Sequence, residues 1–225
     1  MTEPERPRSA VELARQLGEE ALADPADVPA EWFDLVEAVR DLVAATVATE
    51  VSAATRARVT AELGDLIEQL EAEQRDPPIL LGRHSDGRLE NLTQAGSGRL
   101  NPQAPRLVFA ELPAGPAVVD EPVPVEVVAT CRPTAAHLGP PDTVHGGVVA
   151  AMLDEVLGVA ATAAGASGLT AGIDVRYQAA TPSDIELTVR ARFTHREGRK
   201  SFAAGEVIGD GVVTATATAV FIAPT

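Results

Sequence analysis

The sequence predicts an α+β protein in which a curled antiparallel sheet wraps one long apolar helix, with a separate helical segment ahead of it. Three observations carry this. Apolar residues recur every three or four positions in the first third, every second position beyond Pro105, and almost without interruption between Gly146 and Ala164. The predicted organisation is an N-terminal helical segment over 1–76, a loop-rich connection over 77–104 and a sheet-and-helix domain over 105–225. The acidity divides along the same line. Residues 1–76 carry 18 acidic and 7 basic side chains, against 15 and 11 in residues 77–225.

In the first segment, Ser9 and Glu12 have the form of a capping box, followed by Val11, Leu13, Leu17 and Ala21 at helical spacing. Trp32, Leu35, Val36, Val39, Leu42, Val43 and Val47 mark a second helix with one buried stripe. Val59, Leu63, Leu66, Ile67 and Leu70 mark a third, which stops before Asp76-Pro77-Pro78. A helical hairpin cannot bury both stripes by itself, so packing on the rest of the chain or on another subunit is expected. The connection shows no regular period, and its Gly96-Ser97-Gly98 triplet lacks the following Lys-Ser/Thr of a phosphate loop.

Beyond it, Leu107 and Phe109 suggest a first strand, and Val123 to Cys131 a second that makes Cys131 a small core residue. Leu169, Ala171, Ile173, Val175 and Tyr177 read as the apolar face of a third, with Thr170, Asp174 and Arg176 opposite. Ile185 to Thr194, Ser201 to Ile208 and Val212 to Ile222 follow, the last two joined by an Asp210-Gly211 turn. These four strands are expected to form an antiparallel meander. The helix between the second and third strands is apolar on most of its circumference and must be wrapped by the sheet.

Composition narrows the function. A net charge of −15 disfavours nucleic acid as a partner. The charged, proline-bearing N-terminus is no signal sequence, and uninterrupted apolar runs are too short for a span, so no membrane partner and a cytoplasmic location are expected. One cysteine cannot form an internal disulfide. His84, His137, His145 and His195 show no zinc-ligand spacing, and Ser167 lacks the nucleophile-elbow pattern, so neither a metal nor a cofactor is predicted.

Two features of the apolar helix are out of place in a plain core element. Asp154 and Glu155 sit in its middle, and Asp154 shares its face with Gly147, Ala150, Ala151, Gly158 and Ala161. Small neighbours leave room for a ligand, or the carboxylate pairs with an arginine. At the helix start, His145-Gly146-Gly147 presents backbone N–H groups suited to an oxyanion, unless the glycines only ease a tight turn. His145 is either a general base or, more simply, an anchor for its loop.

His145-Gly146-Gly147, Asp154 nine residues after the histidine, Gly158, Thr170 and Glu197-Gly198-Arg199-Lys200 together resemble the hotdog-fold thioesterases, in particular the phenylacetate-pathway (PaaI-like) type, over roughly Asn101 to Pro224. The resemblance implies a hotdog fold and a site shared between two subunits. Gly146 and Gly147 would polarise the thioester carbonyl, Asp154 would act as nucleophile or general base, and Thr170 would orient water or substrate. Some relatives carry Asn or Gln six residues before the histidine; here that position is Gly139.

A thioester substrate implies coenzyme A or an acyl carrier protein, with coenzyme A as part of the substrate. Residues 176–200 hold Arg176, Arg190, Arg192, Arg196, Arg199 and Lys200 against Asp184, Glu186 and Glu197, a local excess of positive charge. Arg176, Arg196, Arg199 and Lys200 are the predicted substrate-binding residues. The reading is an acyl-CoA thioesterase working as a homodimer or homotetramer. The alternatives are a non-catalytic acyl-CoA-binding protein and a structural interaction protein of the same fold.

Overall fold

In the computed structural model, residues 24–110 and 121–223 are described, together with Leu22 and Leu112. The predicted first helix, at Ser9 to Ala21, lies outside them. Helix α1 (Ala30–Ala48) starts directly after Pro29, and α2 (Ala53–Glu71) is capped by Ser52, whose hydroxyl accepts the Thr55 N–H. The stripes predicted to be buried are largely not. Of the α1 stripe only Val36 is buried, while Trp32, Leu35, Val43 and Val47 are exposed, and α2 buries no residue and leaves Leu66, Ile67 and Leu70 exposed.

Polar contacts decide which face α1 turns inward. Arg40 donates through Nη2 to the Asn101 and Ala104 carbonyls at 3.0 and 3.4 Å, and Glu37 pairs with Arg106 at 2.9 Å. Phe33, one turn earlier, lies under the Arg99 guanidinium, 5.1 Å from its carbon.

The connection contains a two-stranded hairpin that the sequence did not signal, β1 (Leu81–Arg83) and β2 (Leu89–Asn91), turned by Gly87 at φ 84°. Strands of three residues are too short to display a period. Leu81 and Leu92 of this piece are buried, at 2% and 0% exposure.

The main sheet comprises β3 (Val108–Phe109), β4 (Glu126–Cys131), β5 (Leu169–Tyr177), β6 (Leu187–Glu197), β7 (Lys200–Gly209) and β8 (Val212–Ile222), all antiparallel in the order β3-β4-β6-β7-β8-β5. The expected four-strand meander is therefore only three strands, β6-β7-β8. After the helix, β5 does not pair with β6 but lands on the far edge beside β8. The β7–β8 turn has Asp210 at φ 50° and Gly211 at φ 73°, the left-handed pair that hairpin twist requires.

Helix α3 (Gly146–Ala163) lies in the curl of this sheet, with Val149, Met152, Leu153, Val156, Leu157, Ala160 and Ala161 buried. They meet Val127, Val189, Val207 and Phe221 from the strands, each fully or almost fully buried. Burying a side chain of this size contributes about 1.5–3 kcal/mol. With 18 residues and a mean hydropathy of 1.5, α3 is long and apolar enough to cross a membrane, yet here the sheet encloses its apolar side. A helix packed against one curled antiparallel sheet is the hotdog fold.

Candidate functional site

The site forms where β5 runs back along α3. A bulge in the β5–β8 pairing leaves Ala171 unpaired, since Thr170 faces Phe221 and Gly172 faces Val220. This corrects the strict alternation read from the sequence. The extra residue flips the strand's phase. Thr170, expected opposite Ile173, Val175 and Tyr177, instead shares their side and faces the helix. There its Oγ1 donates to Asp154 Oδ1 at 3.0 Å. Asp154 is half-buried.

Seven residues along the strand, Tyr177 reaches the other end of the site. Its Oη donates to the Gly146 carbonyl at 2.8 Å, and a Cβ on Gly146 would lie only 3.2 Å from its Cζ. Sequence reading missed this residue, because a tyrosine at the apolar parity of a strand looks like ordinary core.

His145 is the N-cap of α3, and its Nδ1 accepts the Gly147 N–H at 3.0 Å. The ring thus anchors the helix start and occupies one of the two predicted oxyanion donors. Among the described residues no acceptor takes the Gly146 N–H. The glycines are needed locally as well: a Cβ on Gly147 would sit 3.1 Å from His145 Nδ1. The preceding loop presses close, because a Cβ on Gly139 would meet His145 Cα at 2.8 Å. No side chain can project from that position without moving the loop. His137, in the 3₁₀ turn Ala135–His137, accepts the His145 N–H at its carbonyl, 2.9 Å away; burial and nearby Arg40 hold its imidazole below the usual range.

The second carboxylate of α3 is engaged elsewhere. Glu155 Oε1 accepts from Gln94 Nε2 and from Ser97 Oγ, both at 2.6 Å. Burial pushes its carboxyl above the ordinary range despite those two donors, and neighbouring Asp154 adds to the rise. Cys131 is a core residue as predicted, its thiol pushed up by burial to about 11.

The predicted substrate-binding cations do not form one patch. Arg176 is paired with Asp174 at 2.7 Å and, with Arg190 and Arg192, lines a groove of about 400 Å³ on the side of the sheet away from α3. Arg196, Arg199 and Lys200 cluster at the β6–β7 turn, where Gly198 has φ 57°. Arg199 Nη2 holds the Ala223 carbonyl at 2.8 Å, and Lys200 is exposed. Among the described residues no group of three or more His, Cys, Asp or Glu side chains is placed to hold a metal ion.

Residues 142–222 match the family model of the thioesterase superfamily. The crystal structure of a thioesterase superfamily protein is 29% identical, with a TM-score of 0.72 over 89% of this chain and 94% of that one. That likeness reaches well into the N-terminal segment, beyond residues 105–225. A phenylacetic acid degradation-related protein of Ralstonia eutropha JMP134 is 32% identical over 43% of this chain and 75% of its own, with a TM-score of 0.40. A thioesterase protein of Streptococcus pneumoniae TIGR4, crystallised with coenzyme A, is 19% identical over 52% of this chain and 87% of its own, with a TM-score of 0.45.

Proposed function

Because the chain belongs to the thioesterase superfamily, we propose that it hydrolyses an acyl-CoA or acyl-carrier thioester to the free acid and a thiol, with Asp154 as the reactive carboxylate. The observation that carries this is the half-buried Asp154 held by Thr170 on the same helix that begins at Gly146. A carboxylate holding one hydrogen bond keeps lone pairs free, either to take a proton from attacking water or to attack the carbonyl carbon itself.

In either route the carbon–sulfur bond breaks, the thiol leaves with a proton, and water supplies the acid's second oxygen. Charge collecting on the carbonyl oxygen is met by the Gly146 N–H and the positive end of α3. One such donor contributes roughly 3–4 kcal/mol to a transition state of this kind. Lys200, with Arg199 and Arg196, supplies positive charge for coenzyme A phosphates. The working unit is a homodimer or homotetramer, in which the exposed edge of β5 and the exposed stripes of α1 and α2 have somewhere to be buried.

A panel of acyl-CoAs with a thiol-detecting dye tests this reading. Release of coenzyme A that is lost in Asp154→Asn supports it; no release from any acyl-CoA or acyl-carrier thioester, of short, long or aromatic acyl group, overturns it.

A further inference from the structure

We infer that Glu155 is a positioning residue for the reaction, the point at which residues 94–98 lock the register of α3 beside Asp154. The inference rests on the reading of Asp154 as the reactive carboxylate.

The contact is a closed ring of three side chains. Gln94 spends its two amide hydrogens on Glu155 Oε1 and on Ser97 Oγ, at 2.6 and 2.9 Å, and Ser97 donates its own to the same Glu155 oxygen at 2.6 Å. Every donor is used, and two of the three bonds end on one acceptor atom. Gly96 lies against the other oxygen, where a Cβ would collide with Glu155 Oε2. That carboxyl therefore sits in a socket shaped by a glycine.

The socket is itself braced. Gly98 N–H closes on the Gln94 carbonyl at 3.0 Å, Asn101 Nδ2 holds the Thr93 carbonyl at 3.1 Å, and Arg40 of α1 holds the Asn101 carbonyl at 3.0 Å. A chain of polar contacts thus runs from the N-terminal helix to the residue adjoining Asp154. Neighbouring residues on a helix differ by about 100° around its axis, so a small roll of α3 at Glu155 swings Asp154 away from Thr170. Glu155 works through the placement of Asp154 and does not itself touch the reacting atoms.

The test compares Glu155→Gln, which keeps the acceptor oxygen, with Glu155→Leu, which removes it, and with the Gln94→Ala/Ser97→Ala double variant, which removes the donors and leaves α3 untouched. Steady-state kinetics with the best acyl-CoA are read beside thermal midpoints and Asp154→Asn. The expected result is a fall in kcat of about tenfold or more in the Leu and donor variants with KM changed less than about threefold, and near wild-type kcat in Glu155→Gln. A folded Leu or donor variant with kcat within about twofold of wild type overturns the inference, as does a Glu155→Gln as slow as Glu155→Leu, which would make the charge the active property. If the Leu variant fails to fold, the donor variant decides. Full activity in Asp154→Asn would instead overturn the functional reading on which the inference stands.

Discussion

Thr170 and Asp154 lie sixteen residues apart in sequence, yet the 3.0 Å hydrogen bond between them joins the edge strand to the middle of the buried helix. Asp154→Asn keeps this bond, since the amide oxygen still accepts, and removes the charge and the basic site. We expect kcat to drop by roughly two or more powers of ten with the melting temperature little changed. Thr170→Val should cost roughly tenfold alone and almost nothing more in the Asp154→Asn background. Additive losses in that double-mutant cycle would show that the threonine serves something other than this carboxylate.

Tyr177→Phe removes only the donation to the Gly146 carbonyl. A hydrogen bond of this kind contributes about 0.5–1.5 kcal/mol net, so a modest loss of stability is expected, with a several-fold loss in kcat/KM if the helix start must be held for the carbonyl. Urea unfolding and initial rates on the same preparation separate the two effects.

Two carboxylates anchored in residues 84–99 have opposite pH signatures. Glu155 is raised in the folded state above its ordinary 4.5, so its favourable contribution is present below that value and is lost as pH rises through the folded one. Glu155→Gln, neutral throughout, should melt with wild type at about pH 4 and above it at about pH 8. For Glu90, burial alone would raise the carboxyl, but Arg99 at 2.8 Å and His84 at 2.7 Å outweigh it and the net shift is downward. Its contribution is present at neutral pH and lost on acidification, so Glu90→Gln should be the less stable form at about pH 7, with the deficit closing towards about pH 3.

Coenzyme A binding should weaken with added salt and in Lys200→Ala. Arg199→Ala should weaken it too, and should also loosen the end of β8, because Arg199 holds the Ala223 carbonyl. Calorimetry showing the same affinity in both variants would place the phosphates elsewhere, for instance near Arg83, Arg88 or Arg99.

Sedimentation should find a dimer or tetramer. Leu169, Ile173 and Tyr177 on the edge strand are 57%, 37% and 55% exposed in the single chain, more apolar surface than an open sheet edge usually leaves to water. An active monomer at micromolar concentration would contradict this.

Among the longer elements, β5, β8 and α3 fall within a residue of where alternation and helical spacing put them, while β6 lies two to three residues later than read. What a local pattern does not encode was missed. Nothing within β5 says that its neighbour is β8, and an alanine suits either face, so the bulge at Ala171 leaves no mark in the sequence. His145, Gly146, Asp154 and Thr170 were singled out because they are close in sequence or carried by the family resemblance, and the fold sets Thr170 against Asp154 and His145 against Gly147. Gln94 and Ser97 were not, lying 61 and 58 residues from the Glu155 they hold, in a segment whose only sequence signal was its glycines.

The unpaired Ala171 has one more consequence. It offers the site only a methyl group, and any small residue would serve in its place. What matters is that the ladder leaves it unpaired. Straightening the strand with Ala171 still in it would turn Thr170 to the far side of the sheet and strip Asp154 of its partner, whereas a one-codon deletion of Ala171 would leave Thr170 and Ile173 two positions apart on the same side. At this strand the chemistry depends on the register of the ladder as well as on the identity of the residues.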